Sequence, residues 1–442
     1  MLNRKIIILV TAILLISRYG SIYAESLNLD LETAKRIALE NNPSIKIARE
    51  GVKKSHAMVT EARANLMPVI SGFSSFQHAW ELPTMVFSIG GVQQKFKMGT
   101  ENNLVYGINV RQPLFTGGAI WKGFQMSRIG RNIAEAQLKS IEQKLLSDVT
   151  GAYYGVLFAN SALDVTLEAL ESSKKNLEQV NKFFNAGRSS RFDVLRAEVQ
   201  VANFKPMVVS SKNGLRLAES NLSLILGIND SVNYIFKEKL EFTESDLSYK
   251  NLDELLDIAL RNRPEVLIMQ EQKLITRKQL SIAKAALMPS VIFGTSYQYQ
   301  GMRDDLDFTN DDFYKSFNST LTLSIPLFSG LKNSSKMQQA KIAIKETVYQ
   351  EESLINVIKL EVKSAYFVMK EAEEKVETQK KTIEQATEAL RLANLMYTEG
   401  ASTQLDVLNS NLALNQAKMN YQQSLFEYNV ALANLKKAIN QL

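Results

Sequence analysis

The chain has few of the parts from which catalytic sites are built. Among its 442 residues there is no cysteine, and the only histidines are His56 and His78. Nucleophile–base pairs and zinc sites therefore lack their usual donors, and no cofactor is expected. The acids that stand out fall in two settings. Asp304, Asp305, Asp307, Asp311 and Asp312 share one segment. Their spacing matches no calcium loop and the closing glutamate is missing, so a solvated loop is the plainer reading and a calcium site the alternative. The others sit in two turns of like grammar: Ala186-Gly187-Arg188-Ser189-Ser190-Arg191-Phe192-Asp193, and Glu399-Gly400-Ala401-Ser402-Thr403-Gln404-Leu405-Asp406. In each, the glycine can take the left-handed conformation that ends a helix. Ser190 followed by Asp193, and Thr403 followed by Asp406, form capping boxes that open the next helix.

The two turns are alike because the chain is written twice. Pro43 and Pro264 lie 221 residues apart, as do Pro68 and Pro289. Pro113-Leu114-Phe115-Thr116-Gly117 is repeated 213 residues later as Pro326-Leu327-Phe328-Ser329-Gly330, and Asp193-Val194-Leu195 as Asp406-Val407-Leu408. Solenoid units run to about 50 residues, so this is one duplicated multi-element unit.

Residues 1–24 read as a signal peptide: Arg4 and Lys5, an apolar run from Ile6 to Ile16, and a cleavage site at Ser21-Ile22-Tyr23-Ala24. An uncleaved anchor is the alternative, although the run is shorter than the about 20 residues that span a bilayer. Removing this segment lowers the formal charge from +6 to +3, because Arg4, Lys5 and Arg18 go and no acid does. A modest, dispersed charge gives no case for nucleic acid.

The first copy occupies 25–228 and the second 251–442, joined by a connector at 229–250 with strand-like Tyr234-Ile235-Phe236. Each copy opens with a short helix capped by Asp30 or Asn251, followed by a second helix that Pro43 or Pro264 starts. The period then changes to alternation, giving strands at about 69–80, 104–115, 290–300 and 317–328. Phe317, Leu321, Leu323 and Ile325 face one way; Asn318, Thr320, Thr322 and Ser324 face the other. Such strands suit a membrane barrel, or equally a soluble sheet with one wet face. The connections Glu81–Asn103 and Gly301–Ser316 are expected to be long loops.

Helical hairpins follow at 118–228 and 331–441. In the second, a seam from Ile355 through Ile358, Val362, Met369 and Val376 to Tyr397 keeps coiled-coil spacing, broken only by Gln379. A helix of about 68 residues is about 100 Å long, so the molecule is expected to be elongated. Pro206 lies inside the first return helix, where its twin is Met419, and predicts a kink or local break that the second copy lacks. Four strands cannot close a membrane barrel, and an open sheet in lipid leaves unpaired edges. Oligomerisation answers this: a dimer gives eight strands with a filled interior, a trimer twelve with a lumen.

The duplicated order of the Leu-Met-Pro junctions, the Pro-Leu-Phe-[Thr/Ser]-Gly junctions and the Gly-x5-Asp-Val-Leu turns resembles the TolC family of outer-membrane efflux channels. The resemblance implies a mainly α fold with a membrane β-barrel contribution: a homotrimer with a 12-strand barrel in outer-membrane lipid and a 12-helix periplasmic tunnel. It implies a periplasmic adaptor and an inner-membrane pump as partners, with small-molecule efflux favoured over protein secretion. By position, Asp193 and Asp406 match acids of the periplasmic gate and Tyr397 a gate tyrosine, with Gly187, Arg188, Arg191, Gly400 and Ser402 completing the gate and adaptor-docking tips. Ser402 stands where some members carry a basic residue, and Asn409 where an acid is expected, so the gate contacts must differ here. A periplasmic coiled-coil scaffold or adaptor without a barrel is the alternative function.

Overall fold

The structure, a computed structural model, describes residues 26–89, 91–229, 233–236 and 238–442. The signal-peptide reading of residues 1–24 lies outside them. In chain order the elements are β1 (Ser26–Leu29), α1 (Leu31–Asn41), α2 (Pro43–Ala64), β2 (Val69–His78), β3 (Thr84–Ile89), β4 (Val92–Lys97), β5 (Asn102–Thr116), α3 (Ala119–Asn185), α4 (Arg191–Leu226), β6 (Asn233–Phe236), α5 (Leu252–Asn262), α6 (Pro264–Ala285), β7 (Ser290–Arg303), β8 (Phe313–Ser324), α7 (Lys332–Thr398) and α8 (Gln404–Ala438). The described residues divide into two compact units, one within 26–49, 137–266 and 354–442, the other of 50–136 and 267–353.

The first unit is helical, and its core repeats the sequence. Ala34 and Ala38 of α1 are fully buried, and so are their equivalents Leu255 and Ala259 of α5. At the 213-residue spacing, Val149 pairs with Val362, Val156 with Met369, Leu222 with Leu435 and Leu226 with Ile439, all with no exposed surface. Asp30 accepts the Thr33 amide at 2.7 Å and Asn251 the Glu254 amide at 2.8 Å, so both short helices start on side-chain caps. Pro43 and Pro264 are the first residues of α2 and α6, where the missing N–H costs nothing. Gln379, the one polar member of the α7 seam, holds its buried Oε1 without a hydrogen-bond partner among the described residues.

Two expectations change here. The helix α4 is continuous through Pro206, so of the expected kink or local break the break is absent; the proline withholds an N–H from the Ala202 carbonyl. The connector holds more than an isolated strand: β6 pairs in parallel with β1, Leu29 lying opposite Phe236. Short parallel ladders join segments far apart in sequence, and four residues of β1 carry no period that would reveal it. The Tyr153 hydroxyl, donating to Glu238 Oε2 at 2.9 Å, ties α3 to the connector; burial and then the Glu238 carboxylate push its pKa up.

The second unit carries a four-stranded antiparallel sheet of order β2-β5-β7-β8. The register sorts its faces. One row runs Ser71, Asn109, Ser296, Asn318, and its neighbour Val69, Arg111, Gly294, Thr320. The opposite face carries Ile108, Tyr297 and Phe317 in one row and Tyr106 beside Tyr299 in another. There Tyr106 stacks on Tyr299 at 5.5 Å and meets Phe313 at 5.3 Å, an aromatic cluster on the apolar side. Strand β8 stops at Ser324, short of the expected end, because β7, its only partner among the described residues, begins at Ser290, directly opposite. In the first copy, β5 continues through Pro113 to Thr116 across a register shift. The segment expected as one long loop, 81–103, instead folds into the separate hairpin β3–β4. The second loop is also shorter than expected: β7 runs on to Arg303 and β8 starts at Phe313.

The sheet is closed tightly at one glycine. A Cβ on Gly107 would lie 2.4 Å from the Tyr297 carbonyl oxygen and 2.7 Å from the Gln298 Cα. Gly107→Ala is expected to push β5 and β7 apart and cost about 1–3 kcal/mol. Gly294→Ala, whose Cβ would meet nothing nearer than 4.0 Å, is expected to be close to neutral. Thermal unfolding in detergent compares the two, and equal Tm values would contradict the assignment.

Candidate functional site

The two turns singled out by sequence are the tips of the hairpins α3–α4 and α7–α8, both in the helical unit. Their backbones are near copies. Gly187 (φ +72°) and Gly400 (φ +78°) occupy the left-handed region. The Arg188 amide donates to the Phe183 carbonyl at 2.8 Å and the Ala401 amide to Met396 at 2.8 Å. This is the six-to-one bond of a Schellman ending, which satisfies the last carbonyls of α3 and α7.

Both capping boxes are present. Asp193 Oδ2 accepts the Ser190 hydroxyl at 2.6 Å, the Ser190 amide at 3.1 Å and the Ser189 hydroxyl at 3.3 Å. Asp406 Oδ2 accepts the Thr403 hydroxyl at 2.7 Å, the Thr403 amide at 2.9 Å and the Ser402 hydroxyl at 2.9 Å. Ser402, which stands where some relatives have a basic side chain, thus serves the cap. Both carboxyls are held below the usual range. For Asp406 the Thr403 hydroxyl is the main cause, followed by the Thr403 amide and Ser402. For Asp193 it is the Ser190 hydroxyl, with the Arg196 charge a smaller contribution.

Side chains make the tips unequal. Arg188 reaches from the first tip to the second, donating from Nη2 to the Thr398 carbonyl at 2.8 Å. That carbonyl belongs to the last residue of α7, where the helix dipole favours a cation. The guanidinium also lies 4.8 Å from the centre of the Phe183 ring, a cation–π arrangement. The far side of the network is Tyr397, whose ring sits 5.4 Å from Phe183. Arg188, Phe183, Tyr397 and Thr398 therefore form one inter-hairpin tie. Tyr397 packs with Ala393 and Val407, and its buried hydroxyl has no partner among the described residues.

Arg191 and its twin Gln404 also differ. Arg191 is exposed and lies 3.9 Å from Glu198, a weak surface pair. Gln404 is 3% exposed, and neither amide atom has a partner among the described residues. The sequence did not mark Phe183 or Thr398. The only hint was an aromatic residue one turn before Gly187, with no counterpart at Met396.

The acidic segment after β7 holds no calcium geometry. Arg303 fills its centre, pairing with Asp305 at 2.7 Å and Asp312 at 2.9 Å, while Asp304 accepts the Glu101 amide at 3.1 Å. No group of three potential metal ligands occurs among the described residues, and none of the helices is long and apolar enough to cross a membrane.

Ser190→Ala and Thr403→Ala should each cost about 1 kcal/mol of local helix stability, read as faster hydrogen exchange at the Asp193 and Asp406 amides. Because folding lowers both carboxyl pKa values, the cap contribution is full above the ordinary aspartate value of about 3.9 and is lost as pH falls through the lower folded value. Exchange corrected for its intrinsic rate should be flat from neutral pH to that point. Arg188→Ala should loosen the α7 end as well as its own tip, and Arg188→Lys should restore only part of the protection, since an ammonium lacks the planar stack. Protection at Tyr397 and Thr398 indifferent to both changes would contradict the tie.

Comparison with known proteins follows the same division of the chain. The family model "Outer membrane efflux protein" matches residues 36–228 and 255–441. The chain is 22% identical to Outer membrane protein TolC of Vibrio cholerae, covering 96% of this chain and 92% of that protein. It is 21% identical to Alkaline protease secretion protein AprF of Pseudomonas aeruginosa, covering 92% and 84%. Among solved structures, CusC superposes with a TM-score of 0.79 at 19% identity over 95% of both chains. The Neisseria gonorrhoeae MtrE channel superposes at 0.75 with 20% identity, over 95% and 92%. With both copies matched by one family model, the chain belongs to the outer membrane efflux protein family.

Proposed function

We propose that three copies of this chain close a 12-strand barrel in the outer membrane and a 12-helix periplasmic tunnel, giving passive exit to solutes that an inner-membrane pump delivers through a periplasmic adaptor. The observation that carries this reading is the sheet: β2 and β8 each lack a partner on one side among the described residues, and the register gives one apolar and one polar face. In hydrocarbon each unpaired backbone group costs several kcal/mol, so the edges must be closed by another copy. Twelve strands leave a lumen, whereas eight are filled by side chains. The polar face lines that lumen, and the aromatic cluster lies at the lipid boundary.

The hairpin tips form the periplasmic entrance and the adaptor-docking surface. In the resting state Arg188 and Tyr397 hold the two tips of one protomer together, and opening separates them. Asp193 and Asp406 keep their caps while Oδ1 of each, free of hydrogen bonds among the described residues, faces the pore. No catalytic step is assigned. Relatives carry names as different as alkaline protease secretion protein and cation efflux system protein, so cargo is set by the pump, with small molecules favoured for this chain.

The absence of native cysteine makes the test direct. Cysteines scanned along β2, each combined with one in β8, should give oxidised trimers on a non-reducing gel for some pairs. Purified protein should be trimeric by light scattering and conduct in planar bilayers. A monomer that neither cross-links nor conducts would overturn the reading.

A further inference from the structure

We propose that the lumen of this barrel prefers anions, and that Arg111 sets the preference. The inference rests on the trimeric barrel reading above. None of the strands β2, β5, β7 and β8 contains an acidic residue, and their lysine and arginine side chains are Arg111, Arg303 and Lys315. Register separates these three. Lys315 lies opposite Tyr299, on the apolar face. Arg303, opposite Asn102, is on that same face at the strand end and is neutralised by Asp305 and Asp312. Arg111 alone is on the polar face, in the row of Val69, Gly294 and Thr320. It is exposed and makes no ion pair among the described residues.

A cavity on the same face agrees with that assignment. Val69, Arg111, Pro113 and Ile292 all belong to the polar face, and all line one cavity of about 480 Å³ together with Ala62 and Ile120. The recess that these residues share opens on the polar face, beside Arg111. Gly294, directly across from Arg111, leaves the guanidinium uncovered. Three-fold symmetry would place three such groups around a narrow passage with low-dielectric walls, which focuses their field on passing solutes. A guanidinium matches carboxylate and phosphate in geometry and is weakly hydrated. The solutes favoured are anions carrying those groups, and small cations are disfavoured. The rival determinant is the acidic charge of the tips, Asp193, Asp406 and Glu399, which the first tip offsets with Arg188, Arg191 and Arg196.

The test is the reversal potential of purified trimers in planar bilayers under a KCl gradient. Wild type should show the sign of anion preference. Arg111→Gln should shift the potential toward zero, Arg111→Glu should reverse its sign, and Arg111→Lys should keep it. Size-exclusion profiles matching wild type ensure that the variants compared are assembled. A wild-type channel that prefers cations, or one unmoved by Arg111→Gln yet shifted by Asp406→Asn, overturns this inference and leaves the channel reading standing. Wild-type protein with no conductance at all overturns both.

Discussion

Backbone hydrogen bonding at the two sheet edges governs this molecule. Strands β2 and β8 present a row of N–H and C=O groups on their outer sides, with no partner strand among the described residues. In water such an edge is an aggregation hazard; in hydrocarbon it is costlier still, because no solvent can bond it. The chain also carries an apolar sheet face that a soluble domain would bury, including Phe317, Leu321 and Leu323 at 69%, 66% and 61% exposure. In the proposed assembly an exposed edge and an exposed greasy face have one common remedy, which is closure with identical copies inside a bilayer. The close approach at Gly107 belongs to the same constraint, since a closing sheet tolerates no wedge between β5 and β7.

The helical unit solves a different problem, that of building one core from two copies of a sequence. Equivalent positions are buried together, as with Val149 and Val362 or Leu222 and Leu435. The copies diverge where the hairpins turn. Backbone endings at Gly187 and Gly400 are alike, yet the first tip extends Arg188 to the second tip's Thr398 carbonyl, and among the described residues the second tip donates no hydrogen bond in return. A tie of this kind has a soft failure mode. It consists of one charge-assisted hydrogen bond and a ring stack, about 1–3 kcal/mol together at an exposed site, which an adaptor contact could displace without unfolding either helix.

The buried, unpartnered Gln404 amide and Tyr397 hydroxyl fit that picture. Unsatisfied polar groups lower the stability of the arrangement that buries them. In the proposed gate, their place at the second tip makes the tied state easier to leave.

Much of this was legible in the chain alone. The 213-residue repeat fixed the hairpins, because a helix of 67 residues with heptad spacing has no competing structure and its ends are spelled by glycine and a capping box. Alternation likewise assigned the faces of β5, β7 and β8. Local chemistry can do this, since caps and side-chain period depend on near neighbours. What tertiary structure alone decided depends on partners distant in sequence. The β1–β6 ladder, the halt of β8 at Ser324 and the Arg188 tie each require knowing what lies opposite. The hairpin β3–β4 hid in a stretch whose alternation is imperfect, and Pro206 sits in a helix that continues through it. Periodicity and caps are written residue by residue; the meeting of strands, and of one tip with another, is set by a folded chain that brings remote residues within hydrogen-bond reach.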